Sequence, residues 1–132
     1  PKGQNMNPEY LVDTDVMVDF LRGDPKSVAF IKNASDRIAL SAIVCAELYS
    51  GVRDDKECHA LDALMEHLLI LPIRPDIARA GGLLRKQYGK SHGVGLADAL
   101  IAATAIHHGL DLKTCTTRHF PMFAALKPAY SK

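Results

Sequence analysis

What most constrains this chain is the rhythm of its apolar residues: short runs, long enough only for strands, alternate with longer stretches of helical spacing. Tyr10-Leu11-Val12 is the first such run and ends in Asp13. Residues 37–40, 70–73 and 112–116 read as further strands, and 127–130 as a final edge strand. Helices are predicted between them. Asp15 would cap one running to Arg22, and Pro25 opens a second to residue 33. Ser41 would cap a third reaching residue 52, and a fourth covers 54–69. Others cover 75–90, 96–108 (stopped by Gly109) and, briefly, 120–126. Strands separated by helices pair in parallel, with helices on the faces. The expectation is an α/β fold: a three-layer arrangement with a parallel sheet of about five strands flanked by helices. In such sheets ligands sit beyond the carboxyl ends of the strands.

The 132 residues suit one compact domain. It is expected over 8–132, with residues 1–7 either a cloning remnant or a flexible N-terminus. A formal charge of +1 creates no global basic field, so any nucleic acid must bind a local patch. Cys45, Cys58 and Cys115 are an odd, scattered set that suits neither a disulfide framework nor a zinc site; buried free thiols are expected. No apolar run approaches the ~20 residues of a membrane span, and the polar N-terminus has no secretory apolar region. A cytoplasmic protein without membrane contact is expected. Neither a P-loop nor a G-x-S-x-G elbow is present. Four Phe, four Tyr and no Trp supply no stacking platform for single strands.

Three carboxylates stand in apolar company. Asp13 follows a strand's apolar run. Glu47 shares a helical stripe with Ile43, Val44, Leu48 and Gly51, where a carboxylate is costly unless paired, protonated or bound to a cation. Asp98 is the lone charge between Ala97 and Ile106, in the first turn of an otherwise apolar helix. Singly, each has an ordinary explanation: a strand-end turn, a buried ion pair with an arginine, a favourable helix-dipole contact. Together they lie near strand carboxyl ends or early in the following helices. Converging carboxylates raise one another's pKa, and a divalent cation removes that conflict. Oxygen ligands without His or Cys at metal spacing point to Mg²⁺ or Mn²⁺, ions suited to phosphodiester cleavage.

These residues also resemble a known family. Tyr10-Leu-Val-Asp-Thr-Asp-Val-Met-Val-Asp-Phe-Leu-Arg-Gly23 looks like the first motif of PIN domains, 41–52 the second and 95–105 the third. Thr114-Cys-Thr-Thr-Arg-His-Phe120 resembles the fourth less well. The resemblance, closest to VapC-type toxins of bacterial toxin–antitoxin pairs, implies a PIN fold and an acidic Mg²⁺-dependent endoribonuclease site. By motif position Asp13, Glu47 and Asp98 would be metal-holding and catalytic acids. Thr116 would line the site where many members have Asp or Asn, and Asp15 stands where the first motif often carries a further polar residue. It further implies an RNA substrate, a homodimer, and a cognate VapB-like antitoxin docking across a groove and the acidic site. Arg118 and His119, near the end of the fourth motif, are candidates for phosphate contact; the basic residues Arg79, Arg85, Lys86 and Lys90 read more simply as a solvated helix face.

Two other readings remain open on the residues. Asp13-Thr14-Asp15 fits the D-x-D signature of haloacid-dehalogenase-like phosphatases, although Val16-Met17 replaces the usual Gly-Thr and Glu47 is left without a task. A PIN-like binding module weakened by Thr116 is the other.

Overall fold

A computed structural model describes residues 7–132; most of the expected N-terminal extension, residues 1–6, lies outside the described residues. Four parallel strands form one sheet in the order β3-β2-β1-β4. They are β1 (Tyr10–Val12), β2 (Ile38–Ser41), β3 (Leu69–Leu71) and β4 (Asp111–Lys113). Six helices flank them: α1 (Thr14–Leu21), α2 (Pro25–Ala34), α3 (Ala42–Ser50), α4 (Asp55–Met65), α5 (Pro75–His92) and α6 (Leu96–His108). The chain steps from β1 outward through β2 to β3, and α5 and α6 then carry it back to β4 on the far side of β1. The order therefore reverses between β1 and β4, which opens a crevice at their carboxyl ends.

The register places Leu11 beside Ala39 and Leu112, and Leu40 beside Ile70. β2 is buried along its whole length, and Leu11 and Val12 are inaccessible, as expected of parallel strands covered on both faces. α6 supplies the other half of the core. Ala99, Ile101, Ala102, Ala103, Thr104 and Ala105 are buried, so this helix is covered on most sides, as its apolar sequence requires. Its small side chains let α5 approach closely, and Gly81 sits at the crossing, directly over Leu100. Gly109, at φ 65°, takes the left-handed conformation that closes α6.

Four strands rather than about five are present, and each discrepancy has a local cause. The segment 127–130 gives a single backbone bond to the sheet, Ala129 N donating to Thr114 O at 2.8 Å; Pro128 has no N–H to extend the pairing. β3 stops at Leu71 because Pro72 follows. β4 stops at Lys113 because the next amides leave the sheet for side-chain acceptors: Cys115 N donates to Asp15, and Thr116 N to the Thr114 hydroxyl. The short helix expected over 120–126 is a series of turns, with Pro121 lacking a donor and Ala125 at φ 58°. The cap of α1 is Asp13, not Asp15: its carboxylate accepts from Thr14 N. The three cysteines are free but half-buried, not buried. Among the described residues no helix is long and apolar enough to cross a membrane.

Gly81 and Gly82 make a paired test of the α5–α6 packing. A Cβ at Gly82 meets nothing within 4 Å, whereas one at Gly81 would lie 2.6 Å from Leu100 Cδ2 and 3.2 Å from its Cα. Gly82→Ala is expected to stabilise by about 1 kcal/mol, the helix-propensity difference. Gly81→Ala is expected to destabilise, because overpacking of about 1–3 kcal/mol exceeds that gain. Urea unfolding of both variants checks the order.

Candidate active site

Asp13 ends the central strand and is only 5% exposed. Three neighbours hold it. The Thr14 amide donates to Oδ1 and the Thr114 hydroxyl to Oδ2, both at 2.8 Å; Asp13 N donates to Lys113 O, fixing its backbone against β4. Burial, above all, pushes its carboxyl up to about 7. Asp15 and Asp98 add to the rise, and the Thr114 and Thr14 hydrogen bonds oppose it.

Asp15, one turn into the crevice, is gripped by the loop after β4. Its Oδ2 accepts from Cys115 N at 2.9 Å and from the Thr116 hydroxyl at 2.6 Å. The oxygen of Thr114 that donates to Asp13 lies only 3.3–3.4 Å from both Asp15 oxygens. One threonine hydroxyl therefore spans the two acids. Thr116, expected to line the site, does so through Asp15.

Asp98 enters from the first turn of α6 and is half-buried. Burial raises its pKa; the adjacent His119, Nδ1 at 3.5 Å, opposes this, and Glu47 and Asp15 reinforce it. Glu47 completes the group from α3, but it is exposed, which corrects the expectation of a carboxylate buried in an apolar stripe. Val44 and Leu48 point to the core, and Glu47 lies at the stripe's edge toward α1, where the Thr14 hydroxyl donates to Oε1 at 2.7 Å.

The fold thus brings Asp13, Asp15, Glu47, Asp98 and Thr116 to one crevice. Among the described residues none of the four acids pairs with a lysine or arginine; His119 is the sole basic partner. As the side chains stand, no three acids close into a coordinating set among the described residues. They face hydroxyl and amide donors or His119. The donors are nonetheless all hard oxygens, and Asp13 and Asp98 already feel the other acids, the condition a small dication relieves. Thr14 and Thr114, which hydrogen-bond to these acids, were not singled out from the sequence. Thr114 could have been noticed as a polar residue expected inside a buried strand.

From Glu47 a groove of about 480 Å³ runs between α1, α3 and α4. Val18, Leu21, Leu48 and Leu61 make its apolar walls, and Arg22 and Arg53 stand at its rim.

Comparison with known proteins agrees with this geometry. A family model described as PIN domain matches residues 10–120. The chain is 44% identical over 124 residues to Ribonuclease VapC19 of Mycobacterium tuberculosis, covering 91% of this chain and 98% of that protein. Ribonuclease VapC10 of the same organism is 37% identical over 124 residues, 92% of each chain. A solved toxin–antitoxin complex from Klebsiella pneumoniae matches 94% of this chain and 100% of its counterpart, with TM-score 0.81 and 25% identity. FitAcB from Neisseria gonorrhoeae matches 84% of this chain and 90% of that chain, with TM-score 0.67 and 32% identity. The phosphatase reading of Asp13-Thr14-Asp15 is set aside by the family match.

The charge on Asp13 predicts a pH-dependent stability in the metal-free protein. A carboxyl raised to about 7 in the folded state favours folding most when protonated. That contribution is complete below the ordinary aspartate pKa of about 4 and is lost as pH rises through 7. Asp13→Asn keeps an oxygen for the Thr14 amide and cannot ionise. In EDTA it is expected to match wild type near pH 4 and to exceed it by a few kcal/mol at pH 8. Thermal unfolding of both proteins across this range checks the sign; an equal advantage at both pH values would contradict it.

Proposed function

The chain belongs to the PIN-domain family, and from that premise we propose that it is a metal-dependent endoribonuclease, the toxin of a VapBC-type toxin–antitoxin pair acting in the cytoplasm. The observation that carries the reading is the crevice of four carboxylates without a lysine or arginine partner among the described residues, set where the strand order reverses. Such a site is built to receive cationic charge, and its hard oxygens suit Mg²⁺, or Mn²⁺.

Asp13 and Asp98, with Glu47, would hold the ion. When bound, it supplies Lewis-acid activation of water and charge neutralisation at the phosphate. The protein's own part is to fix these acids. Thr114 and Thr14 hold Asp13, the 114–116 loop holds Asp15, and Thr14 orients Glu47. Glu47, exposed and oriented by the Thr14 hydroxyl, would also take up the proton released by the water. His119, beside Asp98, and its chain neighbour Arg118 would contact RNA phosphates without reading sequence.

The groove supports the antitoxin half of the proposal. An apolar channel that ends at an acidic site fits a VapB-like helix whose apolar face lies on Val18, Leu21 and Leu61 and whose basic tail reaches the acids. The similar solved structure from Klebsiella pneumoniae is a toxin–antitoxin complex. A homodimer is also proposed; Leu83, Leu96 and Ile106 are large apolar side chains left exposed on α5 and α6.

Cleavage of mapped RNA with and without Mg²⁺ tests the enzyme. Wild type is expected to cut only with the metal, and Asp13→Asn, Glu47→Gln and Asp98→Asn each to lose at least ~100-fold in rate while remaining folded. Thr116→Val, which removes the hydroxyl donor to Asp15 Oδ2 and leaves the Cys115 amide, is expected to lose about 10-fold. Cleavage that persists in EDTA, or at wild-type rate in any acid variant, would overturn the metal assignment. Metal binding without cleavage would favour a weakened binding module.

A further inference from the structure

The loop that grips Asp15 has left the sheet and needs support of its own. On the β1 side the backbone bond from Asp13 N ends at Lys113 O, and beyond it the Thr114 hydroxyl donates to the Asp13 carboxylate. β4 is an edge strand, so its other side is open. The C-terminal segment fills that opening. Ala129 N donates to Thr114 O at 2.8 Å, and the Cys115 thiol lies 3.9 Å from Tyr130 O. Tyr130 then reaches across to α1, where its hydroxyl donates to Asp19 Oδ2 at 2.7 Å. Lys132 Nζ meets the same oxygen at 2.9 Å. The Tyr130 ring packs on Phe30 of α2, ring centres 6.4 Å apart, and Lys26 Nζ donates to Ser131 O.

Asp19 lies four residues after Asp15, on the same face of α1. One end of this strap is therefore tied to the loop that donates to Asp15, and the other to the helix that carries Asp15. We propose that Tyr130 is a positioning residue for the acidic site: through Asp19 and the Ala129 amide it sets the separation of α1 from the 114–116 loop, and so keeps Asp15 in the grip of Cys115 N and Thr116. The role of Asp15 beside a metal rests on the nuclease reading above; the strap itself does not.

Amide hydrogen exchange in the metal-free protein tests the strap directly. Tyr130→Phe keeps the ring and removes only the hydroxyl. Exchange at Cys115 and Thr116 is expected to accelerate about tenfold, the size of one lost charge-assisted hydrogen bond, with Leu11 and Leu112 unchanged. Asp19→Ala should reproduce the effect from the other end, the double variant should add nothing, and Asp19→Asn, which still offers an oxygen, should restore wild-type exchange. Calorimetric Mg²⁺ affinity is expected to weaken about tenfold in Tyr130→Phe, with maximal cleavage in excess Mg²⁺ kept within about twofold. Unchanged exchange at Cys115, or equal acceleration throughout the fold, would overturn the proposal. Wild-type protein that neither binds Mg²⁺ nor cleaves RNA would instead overturn the nuclease reading, with the exchange result still deciding the strap.

Discussion

Everything else in this molecule is arranged around a buried carboxylate at the end of its central strand. Asp13 is buried at the end of a strand paired on both sides, and it has no lysine or arginine partner among the described residues. Burying such a group costs several kcal/mol unless hydrogen bonds or a proton compensate. The fold supplies both kinds of compensation: a backbone amide at the start of α1, a threonine hydroxyl from β4's end, and a carboxyl pKa lifted to about 7. The early termination of β4 belongs to the same account. Its next amide is diverted from the ladder to Asp15.

The fold was legible because the two periodicities in the chain are well separated. Every major helix and all four strands fall where apolar spacing, Pro25, Pro75, Gly93 and Gly109 put them, within a few residues. The errors collect in one region, the chain after β4. There the apolar residues Phe120, Met122, Phe123 and Leu126 have a helix-like density, yet Pro121 and Pro128 remove donors and the backbone runs as turns against the core. Local spacing cannot report a segment whose conformation is set by distant partners, here Asp19, Phe30 and Thr114.

The site divides in the same way. Its acids could be found because a carboxylate in apolar sequence is conspicuous, and Asp13 and Asp98 proved at least half-buried. Glu47 was found for a partly mistaken reason. A helical wheel shows which residues share a stripe but not where the stripe's edge meets solvent, and Glu47 sits at that edge. The threonines that orient the acids carry no such mark. Thr14 and Thr114 look like ordinary helix-start and strand residues until the fold brings them against partners 33 and 101 positions away.

The choice of hydroxyls around these acids has a physical logic. A lysine or arginine in the crevice would lower the carboxylate pKa values and stabilise the empty site, but it would also cancel the charge that attracts a dication. A hydroxyl orients a carboxylate while leaving its charge in place. Thr116 fits this pattern: a carboxylate there would add a further anion beside Asp15, whereas the hydroxyl gives Asp15 a 2.6 Å donor and adds no repulsion. Among the described residues the one basic group paired with these acids, His119, is half-exposed and meets only Asp98. The crevice thereby keeps its acids aligned and mutually strained, and the free energy withheld from the metal-free fold is released when positive charge enters.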